Sequence, residues 1–123
     1  MNERASAGSS SSLNTVVVGL GSNLGDRPYN IRRALEALGR VMRVVRVSAL
    51  HETEPVDAPA ASPRFLNGVV VGYTLLGPEE LLAELQAIEK RLGRAPRRVR
   101  NEPRVIDLDL VLYGARRMRT EAL

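Results

Sequence analysis

Short β-branched runs alternate along the chain with stretches whose apolar residues recur every three or four positions. The first run, Thr15-Val16-Val17-Val18-Gly19-Leu20, predicts a central strand closed by the loop Gly21-Ser22-Asn23-Leu24-Gly25-Asp26. Pro28 fits the first turn of a helix, along which Ile31, Ala34, Leu35 and Leu38 share one face up to Gly39. Residues 41–50, with Val41, Val45 and Val47 among Arg43 and Arg46, alternate well enough for a second strand. Pro55, Pro59 and Pro63 make 51–63 a loop. A third strand is expected over 65–75, through Val69, Val70, Val71 and Tyr73. Gly77-Pro78-Glu79-Glu80 then opens a second helix, with acids near its positive end and Leu81, Leu82, Leu85, Ile88 and Leu92 on one face. The arginine-rich stretch 93–103, holding Pro96 and Pro103, predicts a long basic loop, and 105–113 the last strand.

This β-α-β-β-α-β order predicts an α+β fold on the split βαβ plan, a four-stranded antiparallel sheet with two helices on one face. Residues 1–14 offer little but Ser, Ala, Gly, Asn and charge, so a disordered N-terminal tail is expected, with 15–123 as a single domain. A chain of 123 residues can bury a core without a disulfide or zinc staple. The lack of cysteine excludes thiol catalysis and thiolate metal sites. No apolar run nears the roughly 18 residues of a membrane span, and the N-terminus lacks the order of a signal peptide. A cytoplasmic monomer with no membrane partner is the expectation.

The formal charge is only +4, but it is unevenly placed: between 90 and 119 ten Lys and Arg face three acids. Nearly all are arginine, whose planar fork suits bidentate contacts to phosphate or carboxylate. A phosphorylated ligand or a nucleic acid is the matching partner class. A genome that writes Arg for Lys on solvated faces would give the same count.

Asp107-Leu108-Asp109 is the sharpest chemical signal. Residues two apart on a strand share a face, so both carboxylates point the same way, while Ile106, Leu108 and Leu110 form the opposite apolar face. Hard oxygen ligands of this kind suit Mg²⁺ together with substrate phosphates. The alternative is an exposed strand face whose acids pair with nearby arginines. Arg94 and Arg104 bracket the basic loop around Arg97, Arg98 and Arg100, as cations that bind ATP phosphates would. Gly21-Ser22-Asn23-Leu24-Gly25 lies between a strand and a helix but has no Walker lysine or dinucleotide fingerprint, and by pattern alone it reads as a tight turn. Phe65 with Asn67 could stack on and hydrogen-bond a flat heterocycle; read without context, they are a core residue and a strand-edge residue. His51, the single histidine, is given no catalytic role.

Taken in order, Gly21-Ser22-Asn23-Leu24-Gly25, Thr53-Glu54-Pro55-Val56, Phe65-Leu66-Asn67, Ile88-Glu89, Leu92-Gly93-Arg94 and Pro103-Arg104-Val105-Ile106-Asp107-Leu108-Asp109 resemble the hydroxymethyldihydropterin pyrophosphokinases of folate biosynthesis. The resemblance implies a ferredoxin-like fold and ATP-dependent pyrophosphoryl transfer to the pterin hydroxymethyl group, releasing AMP. It implies that Asp107 and Asp109 hold two Mg²⁺ ions and that Arg94 and Arg104 act on the phosphates. Glu89 and Leu110 would belong with those arginines to the nucleotide site. Thr53, Val56 and Asn67 would line the pterin pocket, with Phe65 stacked on the ring. The implied partners are ATP and hydroxymethyldihydropterin, with no nucleic acid. The family's loop reads Arg-Trp-Gly-Pro-Arg where this chain has Arg100-Asn101-Glu102-Pro103-Arg104, and members are expected to continue beyond the position of Leu123. A weak or inactive nucleotide- and pterin-binding homologue is the second reading. An RNA-binding module of the same element order is the third, though Val16-Val17-Val18-Gly19-Leu20 lacks the stacking aromatics such a module uses.

Overall fold

In chain order the elements are strand β1 (Ser9–Ser22), helix α1 (Arg27–Leu38), strands β2 (Arg43–Val47), β3 (His51–Thr53) and β4 (Phe65–Leu76), helix α2 (Pro78–Arg91), and strands β5 (Asp107–Tyr113) and β6 (Arg116–Arg117). They come from a computed structural model that describes residues 9–54, 63–93 and 104–117. Both helices begin where the sequence marks a start. Asp26 caps α1 by accepting from the Tyr29 N–H at 3.2 Å, ahead of Pro28 in the first turn. Helix α2 has Pro78, Glu79 and Glu80 in its first turn and Lys90 and Arg91 in its last, matching the signs of its dipole.

The strands form one antiparallel sheet in the order β2-β4-β1-β5-β6, with β3 also paired to β4. The fold is therefore α+β with two helices and an antiparallel sheet, as expected, but among the described residues the sheet has six strands rather than four. One addition, β3, falls in the stretch assigned to loop. Pro55 constrains the chain only from Glu54 onward, so His51–Thr53 keep the N–H groups needed to pair with Phe65–Asn67 of β4. The other, β6, is two residues long and returns along β5. Strand β1 starts at Ser9, so the tail expectation fails for 9–14: Asn14 pairs with Thr74 despite the polar composition, because β4 is long enough to supply backbone partners. Residues 1–8 lie outside the described residues, as do 55–62 of the proline-rich loop and 94–103 of the basic loop. The last strand begins at Asp107, two residues later than predicted.

Alternation decides which face is buried. Val16, Val18 and Leu20 of β1, Val70 of β4, and Leu108 and Leu110 of β5 meet Ile31, Ala34 and Leu38 of α1 and Leu81, Leu85 and Ile88 of α2 in one core. Each fully buried Val or Leu contributes about 1.5–3 kcal/mol over exposure. Near its C-terminal end β5 changes phase: Val18 is opposite Leu110 and Val17 opposite Leu112, which leaves Val111 as an extra residue. Tyr113 therefore turns inward, where its hydroxyl donates to the Leu76 carbonyl and accepts from Asn14 Nδ2.

Glycine is required at Gly72, where β2 crosses closely. A Cβ there would collide with the Arg43 carbonyl oxygen and come within 2.6 Å of Met42 Cε. Gly39, at φ −62° and ψ −12°, has ordinary helical geometry. Gly72→Ala is expected to lower stability by about 1–3 kcal/mol in urea unfolding, whereas Gly39→Ala should leave it unchanged or raise it by up to about 1 kcal/mol.

Candidate functional site

On the sheet face away from the helices, β1 carries glycine at two successive positions, Gly19 and Gly21. Gly21 lies opposite Asn67 of β4 on one side and Asp107 of β5 on the other; Gly19 lies opposite Val69 and Asp109. The result is a trough with a backbone floor. Its walls stand on strands two spacings apart, roughly 10 Å. Phe65 and Asn67 line one side of the cleft and Asp107 and Asp109 the other, enclosing about 250 Å³. That width admits a flat ring beside a phosphate or cation.

The floor must be glycine at 21. A Cβ there would sit 2.6 Å from Asn67 Oδ1 and 3.2 Å from Phe65 Cδ1, so these two side chains lean over the bare backbone. Asn67 is oriented from β3: its Nδ2 donates to Thr53 Oγ1, which turns its amide oxygen over Gly21. Thr53 lies opposite Phe65 in the β3–β4 pairing, so the expected pterin residues Thr53, Phe65 and Asn67 do come together. Phe65 is half-buried and lines the cleft rather than entering the core.

The carboxylate wall behaves as the Asp-Leu-Asp spacing requires. Ile106, Leu108 and Leu110 are buried, and Asp107 and Asp109 face the trough. Arg104, 6% exposed, places its guanidinium 2.8 Å from Asp107 Oδ1, a charge-assisted contact that fixes that carboxylate. Two carboxylates on one strand face are hard oxygen donors of the kind a divalent cation takes together with water and phosphate oxygen; no cluster of three His, Cys, Asp or Glu stands among the described residues.

Two expected nucleotide residues stand elsewhere. Glu89 on α2 is buried, and its Oε2 accepts from the Leu108 N–H at 2.6 Å, covering a main-chain donor on β5 between the two aspartates. Leu110 has no exposed surface and belongs to the core, so the structure does not bring it to the cleft. Val56 and Arg94 lie outside the described residues.

The residue that sequence reasoning missed is Asn23. It is 1% exposed and bonded through three groups. Its N–H donates to the Arg104 carbonyl at 3.0 Å, its Oδ1 accepts from the Arg104 N–H at 2.7 Å, and its Nδ2 donates to the Pro63 carbonyl at 3.2 Å. Gly25, at φ +76°, makes the turn that follows, and Asn30 ties it down by donating to Ser22 Oγ and the Leu24 carbonyl. The polar Gly-Ser-Asn run at a strand end was the available signal, and it reads equally as a simple turn.

An exposed ion-pair chain joins α1 to the residues flanking the proline-rich segment. Arg27 contacts Glu52 Oε2 at 2.7 Å and donates to the Arg64 carbonyl, while Arg64 pairs with Glu54 at 3.0 Å. The hydrogen bond and charge of Arg27 hold the Glu52 carboxyl below its ordinary value.

The family model described as 7,8-dihydro-6-hydroxymethylpterin-pyrophosphokinase matches residues 17–122. This chain belongs to that pyrophosphokinase family. It is 45% identical over 104 residues to the 2-amino-4-hydroxy-6-hydroxymethyldihydropteridine pyrophosphokinase of Pseudomonas aeruginosa, covering 83% of this chain and 63% of that protein. Against the Bacillus subtilis pyrophosphokinase of the same name it is 41% identical over 112 residues, covering 89% and 66%. A mitochondrial folate synthesis bifunctional protein of Arabidopsis thaliana is 46% identical over 109 residues, 88% of this chain and 19% of that protein. The chain thus spans a fifth of the plant relative and under two thirds of the Pseudomonas pyrophosphokinase. Among the described residues no helix is long and apolar enough to cross a membrane.

Two outcomes follow from this geometry. Gly21→Ala should displace Asn67 and Phe65 and lower stability by about 1–3 kcal/mol in urea unfolding, because its Cβ takes the space over the floor. Because the folded pKa of Glu52 is lowered, its contribution to stability is present above the ordinary carboxylate pKa and is lost as pH falls through the depressed value. In Arg27→Gln the Glu52 carboxyl should titrate closer to its ordinary pKa in carboxyl-detected NMR, and that part of the acid dependence should vanish.

Proposed function

We propose that this chain transfers the diphosphoryl group of ATP to the hydroxymethyl oxygen of 6-hydroxymethyl-7,8-dihydropterin, as the names of its bacterial relatives describe. The observation that carries the reading is the single trough in which a stacking and hydrogen-bonding pair, Phe65 and Asn67, faces a carboxylate pair, Asp107 and Asp109, across a glycine floor. The reaction needs that juxtaposition. The hydroxymethyl oxygen attacks the β-phosphorus, the bond from that phosphorus to the oxygen bridging the α-phosphate breaks, AMP departs with the bridging oxygen, and the hydroxyl proton is released.

In this reading Phe65 stacks on the pterin ring and Asn67, held by Thr53, hydrogen-bonds its edge, with Val56 completing the pocket. Asp107 and Asp109 would hold two Mg²⁺ ions, which when bound neutralise phosphate charge and lower the pKa of the attacking hydroxyl. Arg104 steadies Asp107 and, with Arg94, offsets charge growing on AMP. Glu89 serves the nucleotide side by holding the β5 edge in place. Such chemistry consists largely of positioning and charge stabilisation. The strand order β2-β4-β1-β5 with a helix after β1 and after β4 supports reading the architecture as ferredoxin-like, with β3 and β6 as additions.

The test is AMP release by the chain with hydroxymethyldihydropterin, ATP and Mg²⁺, against a control without pterin. Pterin-dependent AMP is expected, and Asp107→Ala or Asp109→Ala should each reduce it by on the order of a hundredfold or more. Phe65→Ala should chiefly raise the KM for the pterin. Saturable binding of both ligands without AMP would mark a binding homologue instead and overturn the assignment of turnover.

A further inference from the structure

Both walls of the trough enter it from the same point. Pro63 stands two residues ahead of Phe65, and Arg104 three residues ahead of Asp107. Asn23, two residues beyond the floor glycine Gly21, binds the main chain of both. Its oxygen arm and its own N–H clamp Arg104 from both sides, and its nitrogen arm takes the Pro63 carbonyl. The side chain is 1% exposed, so water cannot replace either arm without a cavity opening. The clamp on Arg104 also passes into the site, since the Arg104 guanidinium grips Asp107.

We propose that Asn23 is the positioning residue that aligns the two walls where they enter the trough, its oxygen arm registering the carboxylate wall and its nitrogen arm the aromatic wall. Asparagine suits the task because one short side chain carries an acceptor and a donor in one rigid plane. Aspartate keeps the acceptor toward the Arg104 N–H and puts an oxygen where the donor to Pro63 was. Alanine loses both arms. The aromatic wall can therefore be disturbed alone, or both walls together, from a residue that need not touch a ligand.

The inference rests on the reading of the trough as the pterin and nucleotide site, and the experiment separates the two. Binding of 6-hydroxymethylpterin is followed by its fluorescence, and binding of α,β-methylene ATP with Mg²⁺ by calorimetry, for the unmodified chain, Asn23→Asp, Asn23→Ser and Asn23→Ala. Far-UV circular dichroism checks the fold of each. Asn23→Asp should weaken the pterin roughly tenfold, the scale of one buried hydrogen bond, and hold the nucleotide within about threefold; Asn23→Ser, which keeps a short acceptor and lacks the amide donor, should split the same way. Asn23→Ala should weaken both. In turnover, Asn23→Asp should raise the KM for the pterin by a larger factor than it lowers kcat. Equal losses for both ligands in the Asp and Ser variants, or no loss of pterin in either, overturn the inference. An unmodified chain that binds neither ligand defeats the reading of the trough itself.

Discussion

Strand β1 pairs with β4 on one side and β5 on the other, and its residues Val16, Val18 and Leu20 are buried beneath both helices. A slip of one residue would expose those three side chains and turn the others inward. At about 1.5–3 kcal/mol for each buried Val or Leu, the loss would rival the roughly 5–15 kcal/mol that holds a domain folded. Everything on the opposite face inherits that register. Gly19 and Gly21 must point outward because Val18 and Leu20 point inward, and the same parity in β5 sends Asp107 and Asp109 outward while Leu108 and Leu110 are buried. The chemistry of the open face is fixed by the hydrophobic pattern of the hidden one.

How legible each feature was depends on how far apart its partners lie in sequence. The helices were readable because their signals are local: Asp26 and Pro28 at one start, Pro78 and Glu79 at the other, and apolar residues at helical spacing between. The orientation of Asp107 and Asp109 was readable for the same reason, since alternation operates within one strand. Strand β3 was not, because three prolines shortly after it suggested a loop and the pairing that forms it comes from β4. Asn23 was not, because its meaning lies in Arg104, 81 positions away. Glu89 came with a role in the nucleotide site, and nothing near it in sequence says that its carboxylate meets the Leu108 N–H.

These long-range polar contacts share a pattern: each satisfies a main-chain group at a place where the sheet alone cannot. Glu89 covers the strand donor at Leu108, whereas among the described residues β6 pairs with Leu112 and Tyr113. Asn23 supplies partners to Arg104 and Pro63, where the chain approaches β5 and β4. A buried main-chain group without a partner costs about 1–3 kcal/mol. Pro63 and Arg104, which lie just outside β4 and β5, are thereby held at fixed points beside the trough.

The extra residue Val111 divides β5 into two stretches of opposite parity. Upstream, odd-numbered positions face the trough; downstream, Tyr113 faces the interior and ties β5 to the ends of β1 and β4 through Asn14 and Leu76. The bulge works as a phase insulator. Sequence drift, or a change of length in the hairpin that follows, can be absorbed in the distal stretch without rotating the aspartates off their face. The trough-facing half of the strand and its anchoring half are thereby held by separate sets of partners.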